Sequence, residues 1–179
     1  MNYVQLNKKV YNLYYILFFI LYLLFSSCKH NKLAQISKLD SHVQILKNFK
    51  LISTNKGNLR IVVESTLASC HTSDIIHLEH PVVLFYIDGK YIASLTSSQM
   101  ALNTKTYDFQ SYGQCTLKLV DKTTLTTKQL IYNASKGLIY SYNNIIISAP
   151  NNIVIYGTSI QTDIQMKNIT IQGYKLLIV

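Results

Sequence analysis

The fold is decided by the stretch VVLFYIDGKYIASL (residues 82–95). It places β-branched and aromatic residues on both sides of Asp88-Gly89, a dipeptide that favours the positive φ angles of a tight hairpin turn. Similar turn signals recur at intervals of roughly 30 residues, as expected of a repeated structural unit: Asn55-Lys56-Gly57, Asp121-Lys122 and Pro150-Asn151-Asn152. The sequence therefore predicts four β-hairpins.

The similarity between neighbouring units extends beyond the turns. Three pairs of residues are separated by the same thirty positions: Gln99 and Gln129, Phe109 and Ile139, and Tyr112 and Tyr142. Helical periodicity is absent after residue 45, and Thr, Ile, Val and Tyr crowd the segments between turns, which favours strands. A constant period means that each hairpin buries against the next an apolar face that it cannot bury alone. We therefore expect an all-β domain of stacked hairpins.

The segment CTLKL (115–119) indicates which face of the strands is apolar. Lys118 marks the solvent side, so the residues next to it along the strand point to the opposite side. Carried along the repeat, the apolar face is expected to comprise Cys115, Leu117, Leu119, Val82, Leu84, Tyr86 and Ile146. The run Ile145-Ile146-Ile147 is apolar on both faces, so alternation alone does not separate its members.

The first 27 residues have the layout of an export signal. Lys8 and Lys9 precede an apolar run from Val10 to Phe25, which is shorter than the roughly 20 residues of a spanning helix. Two serines then precede Cys28, as in a lipobox, where the cysteine thiol receives a diacylglyceryl group. These features predict a signal peptide (1–27), lipidation of Cys28, a polar tether (28–44) and a folded domain (45–179). The alternative is an uncleaved, tilted membrane anchor in which Cys28 has no role.

The mature protein is expected to be basic. Removal of residues 1–27 lowers the formal charge from +9 to +7, because Lys8 and Lys9 are lost and no acid is lost with them. A basic protein suits anionic partners such as phosphorylated lipid headgroups or a membrane surface. The lysines are scattered, and no basic run alternates with aromatic residues as a nucleic-acid site would require. Nucleic acid is therefore not an expected partner.

Cys70 and Cys115 remain once Cys28 is assigned to a lipid. In an oxidising compartment these two thiols could form a disulfide. They could equally be two small buried side chains on strands, because the sequence does not give the Cα separation that a disulfide needs. Both interpretations are open from the sequence.

No motif for catalysis or cofactor binding occurs in the sequence. It lacks a nucleophile elbow, a glycine-rich phosphate loop and a paired-carboxylate motif. A polar cluster precedes Pro81, and its spacing matches no zinc signature: His71, Asp74, His77, Glu79 and His80. We interpret this cluster as a polar loop that leads into a strand, and we expect no enzyme activity, no metal and no cofactor.

Several segments follow the N-terminal apolar stretch in a recognisable order. They are Asn48-Phe49, LRIVVES (59–65), LEHPVVLFY (78–86) with its turn Asp88-Gly89-Lys90, and Leu125 to Gln129. This order, over residues 45–175, resembles the LptC family, the periplasmic component of the lipopolysaccharide-export machinery. The resemblance implies a twisted, open β-jellyroll built from stacked hairpin repeats, whose groove shields the acyl chains of a glycolipid. Members of that family are commonly held by an uncleaved transmembrane helix, so the resemblance leaves the mode of anchoring open.

The resemblance also implies partners and a location. An inner-membrane ABC transporter would supply lipopolysaccharide or a related glycolipid on the periplasmic side, and a soluble periplasmic bridge protein would receive it. The apolar C-terminal segment YKLLIV (174–179) is expected to pair as an edge strand with that bridge protein, or to fold back over its own domain.

The alternative function is that of a surface or periplasmic lipoprotein that uses its hairpin stack for interaction or adhesion. The two hypotheses differ in the apolar face. A bridge is expected to keep this face open, whereas an adhesion module is expected to close it as a core.

Overall fold

The structure is a computed structural model that describes residues 43–70 and 74–178. These residues form one sheet of fourteen strands, in which every pairing is antiparallel. The strands are β1 (Gln44–Asn55), β2 (Asn58–Cys70), β3 (Ile75–Glu79), β4 (Val82–Ile87), β5 (Lys90–Thr96), β6 (Gln99–Asn103), β7 (Phe109–Leu119), β8 (Thr124–Asn133), β9 (Leu138–Ser141), β10 (Ile145–Ala149), β11 (Ile153–Gly157), β12 (Ser159–Asp163), β13 (Ile169–Gln172) and β14 (Lys175–Ile178). The prediction of an all-β fold is confirmed.

The predicted signal peptide, the lipidation site Cys28 and most of the predicted tether lie outside the described residues. Within residues 43–70 and 74–178, no helix has the length and apolar character needed to cross a membrane.

The sheet is bent along its middle into two layers, because the long strands pair with different neighbours in their two halves. Residues 61–64 of β2 pair with β4, and residues 67–70 pair with β3. β7 and β8 divide in the same way. The two halves of β7 pair with β5 and with β6, and the two halves of β8 pair with β10 and with β9. The first layer runs in the order β1-β2-β4-β5-β7-β8-β10-β11-β14 and the second in the order β1-β2-β3-β6-β7-β8-β9-β12-β13. This arrangement is the jellyroll that the resemblance implied.

The corners between the layers have irregular backbone. Positive φ angles occur there at Asn48, at His80 just before Pro81, at Gly113 and at Gly173. A Cβ on Gly113 would overlap the side chain of Ser98, so only glycine fits this corner. Hydroxyl groups replace ladder hydrogen bonds that the bend interrupts. Ser65 Oγ, for example, lies 2.7 and 2.6 Å from the carbonyl oxygens of Leu67 and Glu79 and can donate its proton to either.

The four predicted hairpin turns are confirmed, and all four join strands of the first layer. Lys56-Gly57, Asp88-Gly89 and Asn151-Asn152 each have two consecutive positive φ angles, as a type I′ turn requires. In the fourth turn, Lys122 has a φ of 75° and the Asp121 carboxylate accepts a hydrogen bond from the Thr123 N–H. The turns therefore lie on one edge of the first layer, opposite the corners.

The polar cluster ahead of Pro81 contains a strand, so the prediction that it is a loop is wrong for residues 75–79. Ile75–Glu79 forms β3, which pairs with β2 on one side and β6 on the other. The reason is that Ile76 and Leu78 alternate with His77 and Glu79, which gives the strand one apolar face. His71 lies outside the described residues, and among those described no group of three or more His, Cys, Asp or Glu side chains is placed to hold a metal ion.

Candidate lipid-binding groove

The inner face of the first layer is lined by apolar side chains in register. One row of directly paired residues crosses five strands and is wholly buried: Val83, Leu95, Leu117, Leu125 and Ile147. A second row is formed by Phe85, Ala93 and Leu119, which are also buried. Because paired residues in a sheet point to the same side, these rows form a continuous apolar surface.

The second layer presents a matching apolar surface. A row of paired residues runs across β3, β6, β7, β8 and β9: Ile76, Leu102, Phe109, Tyr132 and Ile139. All except Ile76 are buried, and Ile76 packs against the same core. The two layers thus enclose a groove whose walls are apolar on both sides.

In the middle of the domain the groove is closed by packing between its walls. The Phe85 ring of the first layer lies 5.4 Å from the Tyr132 ring and 6.3 Å from the Phe109 ring of the second, measured between centroids. Aromatic rings at these separations attract each other beyond their burial of apolar area. The apolar face is therefore a packed core here, contrary to the expectation that a bridge keeps it open.

At the C-terminal end the same inner face is open. Leu176 and Ile178 pair with Ile155 and Ile153 and so continue the inner face, yet they are 52% and 78% exposed. In the second layer Ile169 pairs with the buried Thr162 and is itself 41% exposed. No further strand of the described residues covers these side chains, so the groove ends in an exposed apolar surface.

The predicted face of β7 is confirmed, and those of β4 and β10 are wrong. Cys115, Leu117 and Leu119 are buried on the inner face and Lys118 is exposed. Val82, Leu84 and Tyr86 lie on the outer face of β4 and are half-buried, while their neighbours Val83 and Phe85 point inward. Ile146 is 41% exposed on the outer face, between the buried Ile145 and Ile147. Whether on the inner or the outer face, the lipid-binding role of these residues stays a prediction.

The error in β4 and β10 has a physical reason. Both strands are apolar on both faces, so their sequences contain no polar residue comparable to Lys118. An interval of thirty residues is even, and an even interval preserves the direction in which a strand residue points. The repeat therefore relates Leu117 to Ile147 rather than to Ile146, and it favours the odd-numbered residues of β4.

Cys70 and Cys115 are both free thiols. Cys115 is fully buried on the inner face, and burial raises the pKa of its thiol to about 11. Of the two interpretations left open by the sequence, the structure favours separate side chains on strands.

The edge of the groove opposite the corners is its mouth, and it has two lips. The first lip consists of the hairpin turns of the first layer, and the second consists of the loops 103–109, 133–138 and 163–169. Arg60 of the first layer donates a hydrogen bond from Nη2 to the Ala134 carbonyl of the second lip at 3.2 Å. On the same lip the Asp108 carboxylate accepts a hydrogen bond from the Ala134 N–H at 2.7 Å.

The loop after β12 also closes the mouth. Its Ile164 and Met166 side chains are buried in the common core. The Asp163 carboxylate holds the loop by accepting hydrogen bonds from the N–H groups of Gln165, Lys167 and Asn168. Partial burial acts to raise the pKa of Asp163, but these hydrogen bonds outweigh it and lower the pKa below its usual value.

A small cleft remains between the lips, with a volume of about 290 Å³. Its walls come from both layers and include Arg60, Phe85, Ile87, Tyr132 and Ile164. Burial raises the pKa of Tyr132, whereas the Arg60 guanidinium beside the phenol acts in the opposite direction. Neither Arg60 nor Ile164 was predicted as a site residue. The one available signal is that Arg60 is the single arginine of the chain.

Comparison with known protein families decides between the two functional hypotheses. The family model described as "Lipopolysaccharide-assembly, LptC-related" matches residues 16–174, nearly the whole chain. The chain belongs to this LptC-related family. The predicted function, a periplasmic bridge in lipopolysaccharide transport, is thereby confirmed, and the adhesion hypothesis receives no support.

Membership in the LptC-related family also bears on the location and chemistry of the protein. The protein is anchored to the inner membrane and faces the periplasm, as members of the family do. Its relatives are transport proteins and are not known as enzymes, and they act with an ABC transporter and a bridge protein.

Among solved structures, one that is similar to this chain is LptH of Pseudomonas aeruginosa, described as the LptA homologous periplasmic component of the lipopolysaccharide transport device. The two are 8% identical, the match covers 76% of this chain and 94% of LptH, and the TM-score is 0.33. A search of curated protein sequences gave no match.

Proposed function

We propose that the two inner faces form the path along which the acyl chains of lipopolysaccharide or a related glycolipid move from the ABC transporter towards the outer membrane. The observation that carries this proposal is the continuous apolar groove, buried in the middle and exposed at Leu176 and Ile178. Apolar area in water costs about 25 cal/mol per Å², so acyl chains that cross the periplasm need such a surface.

Passage through the middle requires the walls to separate. The layers are joined covalently at the corners, whereas at the mouth they meet through side-chain packing and the Arg60 hydrogen bond. Acyl chains can therefore replace the contact between Phe85 and Tyr132 if the lips move apart. Cys115, Leu117 and Leu119 would then line the first wall, together with Val83 and Phe85 in place of Val82, Leu84 and Tyr86.

Photocrosslinking in cells tests this path. Benzoylphenylalanine at Leu176, which points inward, is expected to capture glycolipid, whereas the same residue at Leu177 is not. The two positions are adjacent and both exposed, so one controls for the other. Equal capture at both positions, or capture at Leu177 alone, would contradict the proposed path.

We further propose that the C-terminal edge receives the soluble periplasmic bridge protein. β14 pairs with β11 on one side, and among the described residues no strand pairs with its other side. An apolar edge strand with unpaired N–H and C=O groups is the usual site of β-augmentation. Deletion of residues 173–179 is expected to abolish pull-down of the bridge protein. A truncated protein that stays folded and still captures the bridge refutes docking through this edge.

For the anchor we propose lipidation at Cys28 after removal of residues 1–27, with an uncleaved helix as the alternative. Two serines and a cysteine at the end of the apolar run support it. Replacement Cys28→Ala is expected to abolish metabolic labelling with palmitate and to leave the signal uncleaved. Label that persists in this variant would exclude Cys28 as the acceptor.

A further inference from the structure

The cleft between the lips combines an apolar floor with one cation, Arg60, and one carboxylate, Asp163. Phe85, Tyr132 and Ile164 form the buried part of its wall, and Ile87 at the end of β4 is exposed beside them. A volume of about 290 Å³ lies at the lower limit of roughly 300 Å³ for small-molecule sites. It therefore suits one part of an amphipathic ligand rather than the whole molecule.

Arg60 stands at this cleft with neutral partners. Its Nη2 donates to the Ala134 carbonyl at 3.2 Å, its guanidinium also lies within hydrogen-bond reach of the Tyr132 hydroxyl, and the residue is otherwise exposed. A guanidinium forms shorter and roughly twofold stronger hydrogen bonds with an anionic oxygen than with a neutral one, and its planar fork matches phosphate. A phosphate group that reaches Arg60 is therefore a better acceptor than the Ala134 carbonyl.

Among the described residues, no carboxylate near the cleft forms a salt bridge with Arg60. Asp163 is surrounded by the N–H groups of its own loop, and Asp108 accepts from the Ala134 N–H. Asp88 lies next to Ile87 at the exposed tip of a hairpin. Within residues 43–70 and 74–178, the guanidinium charge of Arg60 is therefore not neutralised by a salt bridge.

From these observations we propose that Arg60 recognises a phosphate of the incoming glycolipid, and that the exchange of the Ala134 carbonyl for this phosphate releases the two lips. This inference rests on the proposed function and identifies the cleft at Arg60 as the place where the glycolipid enters the groove. Charge complementarity selects a phosphorylated glycolipid as the occupant: the phosphate binds Arg60, and an acyl chain enters the apolar part of the cleft beside Ile87 and Ile164. The exchange would remove one of the contacts that hold the lips together, beside the core packing of Ile164 and Met166, and would so favour opening when a phosphorylated headgroup has arrived.

The test compares two ligands that differ only in phosphate. The full-length chain in detergent, with benzoylphenylalanine at Ile87, is titrated with bisphosphorylated lipid A and with the same lipid A after enzymatic dephosphorylation. Crosslinking is expected to show roughly tenfold tighter binding of the phosphorylated form, the scale of one hydrogen bond to a charged group. In Arg60→Gln this preference for the phosphorylated form is expected to disappear. The glutamine amide keeps a donor for the Ala134 carbonyl, but it has no positive charge to attract a phosphate.

The matched control is Lys118→Gln, which removes the same charge from an exposed position on the outer face. It is expected to keep the preference. A folded Arg60→Gln protein that also keeps it overturns the proposal, and so does a wild-type protein that binds both lipids equally. If the wild-type protein captures neither lipid, the proposed function itself fails.

A second measurement does not depend on the folding of an Arg60 variant. Spin labels introduced through unnatural amino acids at Lys90 and Lys136 report the separation of the two lips. The distance is expected to increase with bisphosphorylated lipid A and not with the dephosphorylated form. An unchanged distance with a lipid that is bound overturns the release of the lips.

Discussion

In the middle of the jellyroll Leu117 is completely buried, whereas at its C-terminal end Ile178 is 78% exposed on the same inner face. The chemistry of the side chains is similar, and the difference lies in their neighbours. Leu117 is paired on both sides, with Leu95 and Leu125, and it faces the second layer. β14 has a neighbour on one side among the described strands. A stack of hairpins buries each face against the next, so its last member among the described strands keeps an exposed apolar surface.

The largest effect is expected in the packed middle. Leu117→Lys places an unpaired charge in the core and should destabilise the protein by more than about 4 kcal/mol, enough to unfold it. Thr116→Lys, one residue away on the outer face, should cost less than about 1 kcal/mol. Urea denaturation followed by circular dichroism measures both. Similar costs for the two variants would show that the middle is not closed as described.

The two faces of β4 provide a second comparison within the packed middle. Phe85→Ala removes a ring that holds the two layers together and should cost about 3–5 kcal/mol. Leu84→Ala, on the half-buried outer face, should cost about 1 kcal/mol. The same denaturation experiment ranks them. A larger loss for Leu84→Ala would restore the strand register that the sequence suggested and would contradict the structure.

The smallest effect is expected at the open end. Ile178→Ser should change the free energy of unfolding by no more than about 0.5 kcal/mol, because little of the side chain is buried. Ile147, a buried residue on the inner face of β10 in the same layer, should lose several times more stability in Ile147→Ser. Should Ile178→Ser cost more than about 2 kcal/mol, the C-terminal strand caps its own core, and the contrast with the middle disappears.

Much of the fold follows from local signals. The hairpins at Asp88-Gly89 and Asn151-Asn152 were predictable because few dipeptides accept two consecutive positive φ angles. The inner face of β7 was predictable because Lys118 interrupts an apolar strand. The candidate site was less predictable, since β4 and β10 are apolar on both faces and their orientation depends on which neighbours cover them.

The sequence by itself determined the all-β class, the positions of the turns, the thirty-residue period and the resemblance that the family comparison confirmed. These depend on residues close together in the chain, where turn chemistry and alternation act directly. Only the tertiary structure decided that the walls of the groove meet in the middle and that Ile164 and Met166 enter the core. It alone brought Arg60 to the carbonyl of Ala134, 74 positions away. Contacts of this kind depend on how the sheet bends and on which strands face each other, and no local pattern contains that information.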